Sequence, residues 1–409
     1  MRLTLINQFY APDLAPTGHM AASLAEHRAL GGDQVTVITS AGGYVPESRS
    51  RSRSTDTNPR VIRLWTPRLG KAHKLPRILD YAAFYLLASL RLLLIPAQDV
   101  IISLTTPPFI AWAAVVHKRL HPSTLIVLWN MDCYPEIAER TGVITQGRWI
   151  SRGLRALNRR LFERIDHVVC LDHAMRDLLV THYGQVERNP QFHIIPNWES
   201  STQFSRDRVH PAWTDLPDLG IESPFIILYL GNAGFGHRFE TVLEAAEILK
   251  DEPFVFLFVG GGQKWPWLAS TVANRDLKNV ILHPYVPKET TPQVMAMADC
   301  ALITMSDTAL GLISPSKLHA NLAMGLPILY VGPAGSNVDE AIQENAVGLS
   351  IRHGEVSQCV CFLRNLRGDP ALHDQYKNAS RQAFESSYCD AKTLPQFDSL
   401  LTALIPSPD

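Results

Sequence analysis

The stretch FIILYLGNAGFGHRFET, residues 225–241, decides how the chain is read. Phe225–Leu230 is an unbroken apolar run, too short for a helix of ordinary length. Gly231, Gly234 and Gly236 interrupt it, and a helical pattern follows over 238–250. A strand with one wet face alternates polar and apolar residues; a continuous run marks a strand covered on both faces. Strand, glycine-rich turn and helix in that order open a doubly wound α/β unit. The turn then leaves the carboxyl end of the strand, where ligands bind in such sheets.

Outward from this point the alternation continues. Strands are predicted at Val255–Val259, Val280–His283, Ala301–Thr304 and Ile328–Val331, with a helix over 315–324. The first half repeats the theme, with strands at Leu3–Ile6, Val35–Ile38, Val61–Leu64, Val100–Leu104, Thr124–Leu128 and His167–Leu171 and a helix near 19–30. Residues 199–223 break the rhythm with Pro211, Pro217 and Gly220 and are read as a linker. The expected fold class is therefore α/β, with two doubly wound Rossmann-like domains, 1–198 and 224–385, facing a central cleft. At about 150 residues per domain, two is a natural count for 409 residues.

Composition excludes several classes. Lys+Arg is 38 and Asp+Glu is 39, so the net charge is −1 and no basic excess marks a nucleic-acid binder. The six cysteines form no C-x-x-C pair and the fifteen histidines no H-E-x-x-H, so no metal site is expected. The opening MRLTLINQFY reads as a strand rather than the apolar segment of a signal peptide, and the scattered cysteines fit a reducing, cytoplasmic setting. Ile78–Ile95 is the longest apolar run, but Asp80 and Arg91 lie inside it, against a membrane span. Two segments are basic. Residues 49–77 carry nine Lys or Arg against Asp56, and 148–164 places Arg148, Arg152, Arg155, Arg159, Arg160 and Arg164 beside Trp149, Leu154, Leu157, Leu161 and Phe162. Such helices either lie on an anionic membrane surface or pack on the sheet with their arginines in water.

Three turns are candidates for an anion. Ser314-Pro315-Ser316-Lys317 suggests a helix capped by Ser314 with Pro315 first, whose free N–H groups, Ser316 and the Lys317 charge would hold a diphosphate. Gly231-Asn232 through His237-Arg238 is a second cradle, although it is neither a Walker sequence nor G-x-G-x-x-G. Gly260-Gly261-Gly262 is a third, of a kind that often serves tight packing alone. In the first half, Asp132 and Glu136 follow the strand Thr124–Leu128. Asp132 is a candidate to orient or deprotonate an attacking hydroxyl, or else a helix cap before Pro135. Gly18 lies in the loop after the first strand.

Together these segments resemble the bacterial family 4 glycosyltransferases. The likeness rests on Asn7–Asp13 with Pro16-Thr17-Gly18, on Trp129–Glu136 and on Ile194-Ile195-Pro196-Asn197. It continues with Gly231-Asn232, His237–Thr241, Phe258–Gly262, Pro315–Leu318 and Ala323–Pro327. It covers nearly the whole chain, and the subgroup most like it builds surface polysaccharides such as colanic acid and O-antigen. The resemblance implies a GT-B fold, a nucleotide-sugar donor (a UDP-sugar is expected) on the second domain and an acceptor on the first. It also implies metal-independent retention of anomeric configuration, with no cofactor. Residues 386–409 are expected to return to the first domain. The acceptor is expected to be a lipid-linked saccharide, which would place the enzyme peripherally on the inner membrane face. A soluble small-molecule acceptor, a non-catalytic GT-B partner subunit and a nucleotide-sugar epimerase are the other readings. One departure stands out: the two glutamates of the family's E-x7-E motif fall at Leu312 and Ala320. The second normally holds the ribose, and Asn337 or Glu340, in a helix start capped by Ser336, is the expected substitute. The competing reading is that the acids there merely complement the helix dipole.

Overall fold

The computed structural model describes residues 1–13, 15–41, 58–67, 74–184, 190–202, 204, 213 and 221–404. The Ser-Arg repeat at 48–54 and most of the 199–223 segment lie outside them. The chain divides into two compact units. One comprises Met1–Leu171, Met175–Pro196 and Leu394–Asp409; the other comprises Asp172–Ala174 and Asn197–Thr393.

Among the described residues, seven strands form the sheet of the first unit: β1 (Arg2–Ile6), β2 (Gln34–Ser40), β3 (Arg60–Leu64), β4 (Val100–Ser103), β5 (Leu125–Trp129), β6 (His167–Cys170) and β7 (Gln191–Ile194). Their order is β3-β2-β1-β4-β5-β6-β7, and each neighbouring pair is parallel. The second sheet holds β8 (Phe225–Asn232), β9 (Phe254–Gly261), β10 (Val280–His283), β11 (Cys300–Thr304), β12 (Ile328–Val331) and β13 (Gly348–Ile351), in the order β10-β9-β8-β11-β12-β13, again parallel. In each sheet the first strand sits inside the order and the chain winds away from it in both directions. This is the doubly wound arrangement, whose switch points fall between β1 and β4 and between β8 and β11.

The unbroken apolar runs have their explanation here. Ile226 and Leu228 of β8 join Val255, Leu257 and Val259 of β9 in one core layer, while Phe225, Ile227 and Tyr229 join Phe254, Phe256 and Phe258 in the layer on the opposite face. Both faces of the central strands are dry, so both must be apolar.

Among the described residues, two helices of the first unit expose apolar side chains on one face. In helix Lys74–Leu93, Phe84, Ala88 and Leu92 are fully buried, whereas Leu79, Leu86 and Leu90 are exposed at helical spacing. Helix Trp149–Phe162 is held inward by polar groups: Ser151 Oγ donates to Glu139 Oε1 at 2.6 Å, Arg155 grips the same carboxylate at 2.9 and 2.5 Å, and Asn158 Nδ2 donates to the Tyr134 carbonyl at 2.9 Å. Its outer face carries Trp149, 79% exposed, with Ile150, Leu157 and exposed Arg148, Arg152, Arg159 and Arg160. Leu161 and Phe162, read from sequence as part of one apolar face with Trp149, are instead buried. Helix Ala111–Leu120 packs against both helices. Among the described residues, no helix is long and apolar enough to cross a membrane. Near the C-terminus, Phe397 packs on Trp129 with ring centroids 4.7 Å apart, and Asp398 accepts from His27 at 2.7 Å and Arg28 at 2.6 Å.

Candidate active site

The densest functional geometry lies at the switch point of the second unit. β8 and β9 run in register to their ends, Gly231 opposite Gly260 and Asn232 opposite Gly261. The two turns beyond are laced together: Ala233 N donates to the Gly261 carbonyl at 2.7 Å and Lys264 N to the Ala233 carbonyl at 2.8 Å. Gly260 (φ +146°) has no room for a side chain, since a Cβ there would stand 2.1 Å from the Gly231 carbonyl oxygen. At Gly231 (φ +123°) a Cβ would press on Lys317 Cε at 3.0 Å. Gly260 therefore lets the ends of the two strands approach closely, and Gly231 clears the space that the Lys317 side chain occupies.

Lys317 reaches this turn from the helix Lys317–Ala323. Its Nζ lies 4.9 Å from the centre of the Tyr229 ring and 3.3 Å from His237 Nε2. His237 Nδ1 lies 2.7 Å from the Thr304 carbonyl oxygen and 3.2 Å from Thr304 Oγ1, at the end of β11. A backbone carbonyl only accepts, so Nδ1 carries the proton, and Nε2 offers its lone pair to the lysine. Burial and the neighbouring Lys317 charge push the imidazole down to about 3, so it is neutral at pH 7. Burial lowers the Lys317 ammonium to about 8, still mostly charged at neutrality. The result is one cation with its chemistry aimed at the carboxyl edge of the sheet. Nothing in the local sequence marks Tyr229 or Thr304 as partners; the only signal for Thr304 is its place at a strand's end.

The helix start differs from the expected one. Ser314 is not the cap and Pro315 is not the first helical residue. Ser316 holds the cap position in helical geometry (φ −67°, ψ −17°) and makes no side-chain capping bond. The reason lies in the preceding carbonyls. That of Pro315 receives Asn337 Nδ2 at 3.4 Å and that of Ser316 receives His319 Nδ1 at 3.1 Å, while Leu318 N and His319 N bond three residues back to the same two oxygens. A tight turn replaces the first α-helical turn. With a helix of seven residues the dipole is small, and the charge of Lys317 carries the electrostatics.

Other candidates scatter by role. Arg238 is half-exposed and pairs loosely with Glu240 at 3.6 Å and Asp307 at 3.7 Å. The Asn232 backbone carbonyl accepts from Tyr229 OH at 2.9 Å. Ser314 is half-buried and Ser316 exposed. Leu312 is buried and Ala320 packs on the core, so the positions of the two glutamates now serve packing. In helix Asn337–Asn345, Ser336 Oγ accepts from Asp339 N at 3.2 Å, the cap read from sequence. Asp339 is fully engaged by Arg352 at 2.7 Å, Gly335 N at 2.8 Å and Ser350 Oγ at 2.5 Å, hydrogen bonds that hold its carboxyl below the usual range against desolvation. Glu340 is half-exposed in the same first turn. Asn337 is buried beside the Pro315–Lys317 turn, and among the described residues its Oδ1, itself shielded from solvent, has no hydrogen-bond partner.

In the first unit, Asp132 follows β5. Thr105 Oγ1 accepts from the backbone N–H groups of Met131 and Asp132, both at 3.2 Å, and fixes this turn. Asp132 lines a cavity whose walls include Pro108, Phe109, Ile110 and Phe162 together with the polar Thr105, Asn130 and Asn158. Desolvation raises its pKa to about 6, and no hydrogen bond from a described residue offsets it. It does not cap the following helix, Glu136–Arg140, which starts at Pro135 without a side-chain cap. Glu136 is structural: it accepts from Tyr183 OH at 2.6 Å and lies 3.0 Å from His182 Nδ1. Gly18, read from sequence as part of the loop after β1, lies instead in the first turn of the helix Pro16–Leu30; it is buried, with a Cβ position only 3.2 Å from the Phe9 and Tyr10 backbone, so it lets that helix start pack on the loop.

Comparison with known proteins identifies the two halves of the chain. Residues 17–198 match the Glycosyl transferase 4-like domain and residues 224–366 the Glycosyl transferases group 1 domain. The chain is 27% identical over 347 residues to the colanic acid biosynthesis glycosyl transferase WcaI of Escherichia coli, covering 80% of this chain and 82% of that one. Among solved structures, WaaG, a glycosyltransferase involved in lipopolysaccharide biosynthesis, superposes with a TM-score of 0.66 at 17% identity, over 98% and 99% of the two chains. HepE of Anabaena, solved with UDP and glucose, gives 0.70 at 13% identity, over 98% and 100%. The chain thus belongs to the family 4 glycosyltransferases and has their GT-B fold.

Proposed function

We propose that this enzyme is a retaining transferase that moves a sugar from a UDP-sugar to a polyprenyl-linked saccharide of a surface polysaccharide. The observation that carries the reading is the Lys317 ammonium, charged and half-buried, set against Gly231 at the switch point of the second sheet. A departing nucleoside diphosphate develops charge on its β-phosphate, and a fixed cation in a site poor in water stabilises that charge. In the transfer, the acceptor oxygen bonds to the anomeric carbon on the face from which the diphosphate leaves. The bond from that carbon to the phosphate oxygen breaks, and the hydroxyl proton passes to the departing phosphate. Asp132, on the first unit, orients the acceptor hydroxyl, and Asn337 Oδ1 accepts from a ribose hydroxyl. The donor class is supported by UDP in the HepE structure, and the acceptor class by the colanic acid role in the name of WcaI.

Incubation with a panel of UDP-sugars tests this directly. One of them should release UDP slowly alone and faster with a polyprenyl-diphosphate saccharide, giving a product whose anomeric configuration matches the donor. No UDP release from any of them would favour a non-catalytic subunit. Removal of the Asn337 amide (Asn337→Ala) should weaken UDP several-fold but leave inorganic diphosphate, which lacks ribose, nearly unaffected. If Asn337→Ala and Glu340→Ala both bind UDP as well as wild type, the ribose is held elsewhere.

We place the acceptor side on an anionic membrane at the inner, cytoplasmic face. The exposed leucines of helix Lys74–Leu93 and the Trp149 face with its arginines combine insertion with charge. Each basic residue near such a surface contributes on the order of 1 kcal/mol, weakened by salt. The protein should sediment with anionic liposomes at low salt and be released at high salt, and Arg152→Glu/Arg159→Glu should abolish sedimentation. Equal behaviour with neutral liposomes, or none with either, would favour a soluble acceptor.

A further inference from the structure

We propose that His237 is a positioning residue that holds the Lys317 ammonium where the diphosphate is to lie. This rests on the reading of Lys317 as the diphosphate contact and goes beyond it, because His237 is given no phosphate of its own. Both ring nitrogens are in use. Nδ1–H is spent on the Thr304 carbonyl at 2.7 Å, and the Nε2 lone pair faces Lys317 Nζ at 3.3 Å. A neutral imidazole in this tautomer has no hydrogen to offer an anion. It accepts one ammonium hydrogen and leaves two for the ligand. The Tyr229 ring supports the same ammonium from below at 4.9 Å, and that ring also packs edge-on against His237 at 5.6 Å. The histidine itself is clamped at the end of β11 and stacks on buried Phe239. A flexible lysine stem thus becomes a fixed donor by being tied to the rigid sheet through one imidazole. Such preorganisation is what electrostatic stabilisation of a leaving group requires.

The charged and titratable groups around the ammonium are His237, Tyr229, and more distantly Tyr285 and Lys264. With Lys317 at about 8, UDP affinity in the wild type should fall as pH rises through that value, because the ammonium is lost. His237→Leu removes the acceptor while keeping bulk. It should weaken UDP about tenfold at pH 7 and move the alkaline limb to lower pH, since the ammonium loses a hydrogen bond. His237→Gln, whose amide N–H can serve Thr304 and whose Oε1 can serve Lys317, should restore affinity to within about threefold of wild type and bring the limb back. An unchanged affinity and limb in His237→Leu would overturn the proposal, as would a His237→Gln variant as weak as His237→Leu with the fold intact. Should His237→Leu not fold, the nitrogen NMR shifts of the labelled wild-type histidine decide. A neutral ring protonated at Nδ1 from pH 5 to 9 is expected, and an Nε2-protonated or charged ring refutes the arrangement. If Lys317→Ala leaves UDP affinity untouched, the diphosphate reading itself fails. If Lys317→Ala weakens UDP while His237→Leu does not, only the positioning role falls.

Discussion

Lys317→Ala should weaken UDP binding by roughly ten- to a hundredfold, the range set by about 1.5–3 kcal/mol for a hydrogen bond to a charged group. The loss should appear in turnover as well, because the β-phosphate carries more charge as the bond to the sugar breaks than in the bound donor. The fold should survive. The ammonium is held in the folded state at about 8, below its ordinary value, so the charged form is less favourable there than in the unfolded chain. That penalty is present below pH 8 and disappears as pH rises toward the unfolded value. Removing the charge relieves it, partly offsetting the packing lost with the side chain. Calorimetric titration with UDP, alongside a melting curve, checks both statements. In the wild type, titration near pH 9 should also show uptake of part of a proton, because the bound anion raises the lysine pKa. A binding enthalpy independent of buffer ionisation at pH 9 would count against contact between Lys317 and the phosphates.

Asp132→Asn should lower turnover on the order of a hundredfold, within the range for a positioned acid–base group, and leave UDP affinity unchanged. The pH profile gives a second reading. With its carboxyl raised to about 6 by desolvation, the wild type should lose activity as pH falls through 6, and the variant should lack that limb. The stability sign is opposite to that of a structural carboxylate. A raised Asp pKa means that the folded state holds its proton more tightly than the unfolded one. The ionised group therefore costs stability above pH 6 and is relieved below it. Asp132→Asn should melt no lower than wild type at pH 7. A lowered melting temperature with unchanged turnover would make Asp132 a purely structural residue.

The membrane and ribose predictions depend on surfaces that periodicity describes poorly. From the sequence, Trp149 and Leu161 look like one apolar face. In the fold Leu161 is buried and Trp149 stands in the open, because the inner side of that helix is held by Ser151, Arg155 and Asn158 rather than by an apolar stripe. Likewise Asp339 and Glu340 are equivalent acids in the sequence. Only the arrival of Arg352 and Ser350 from β13 and the loop after it removes Asp339 from any ligand role.

What the sequence by itself determined is the doubly wound architecture. Central strands dry on both faces need apolar residues at every position, and that requirement is written locally, as in Phe225–Leu230 and Val255–Val259. The edge strands β7 and β13 went unread for the converse reason: half-buried, they can mix Gln191, His193 and Ser350 with apolar residues and lose the run. The glycine turns were also legible, since tight turns restrict residue type at short range, whereas Lys317 drew attention through a Ser314 cap that the helix does not use. Which groups meet there was decided by tertiary structure alone. Lys317 and His237 are eighty residues apart, and their contact follows from β8 and β11 being neighbours in the sheet. The tautomer of His237, the lowered Lys317 and the raised Asp132 follow in turn from burial and from hydrogen bonds across strands, which no local window of sequence encodes.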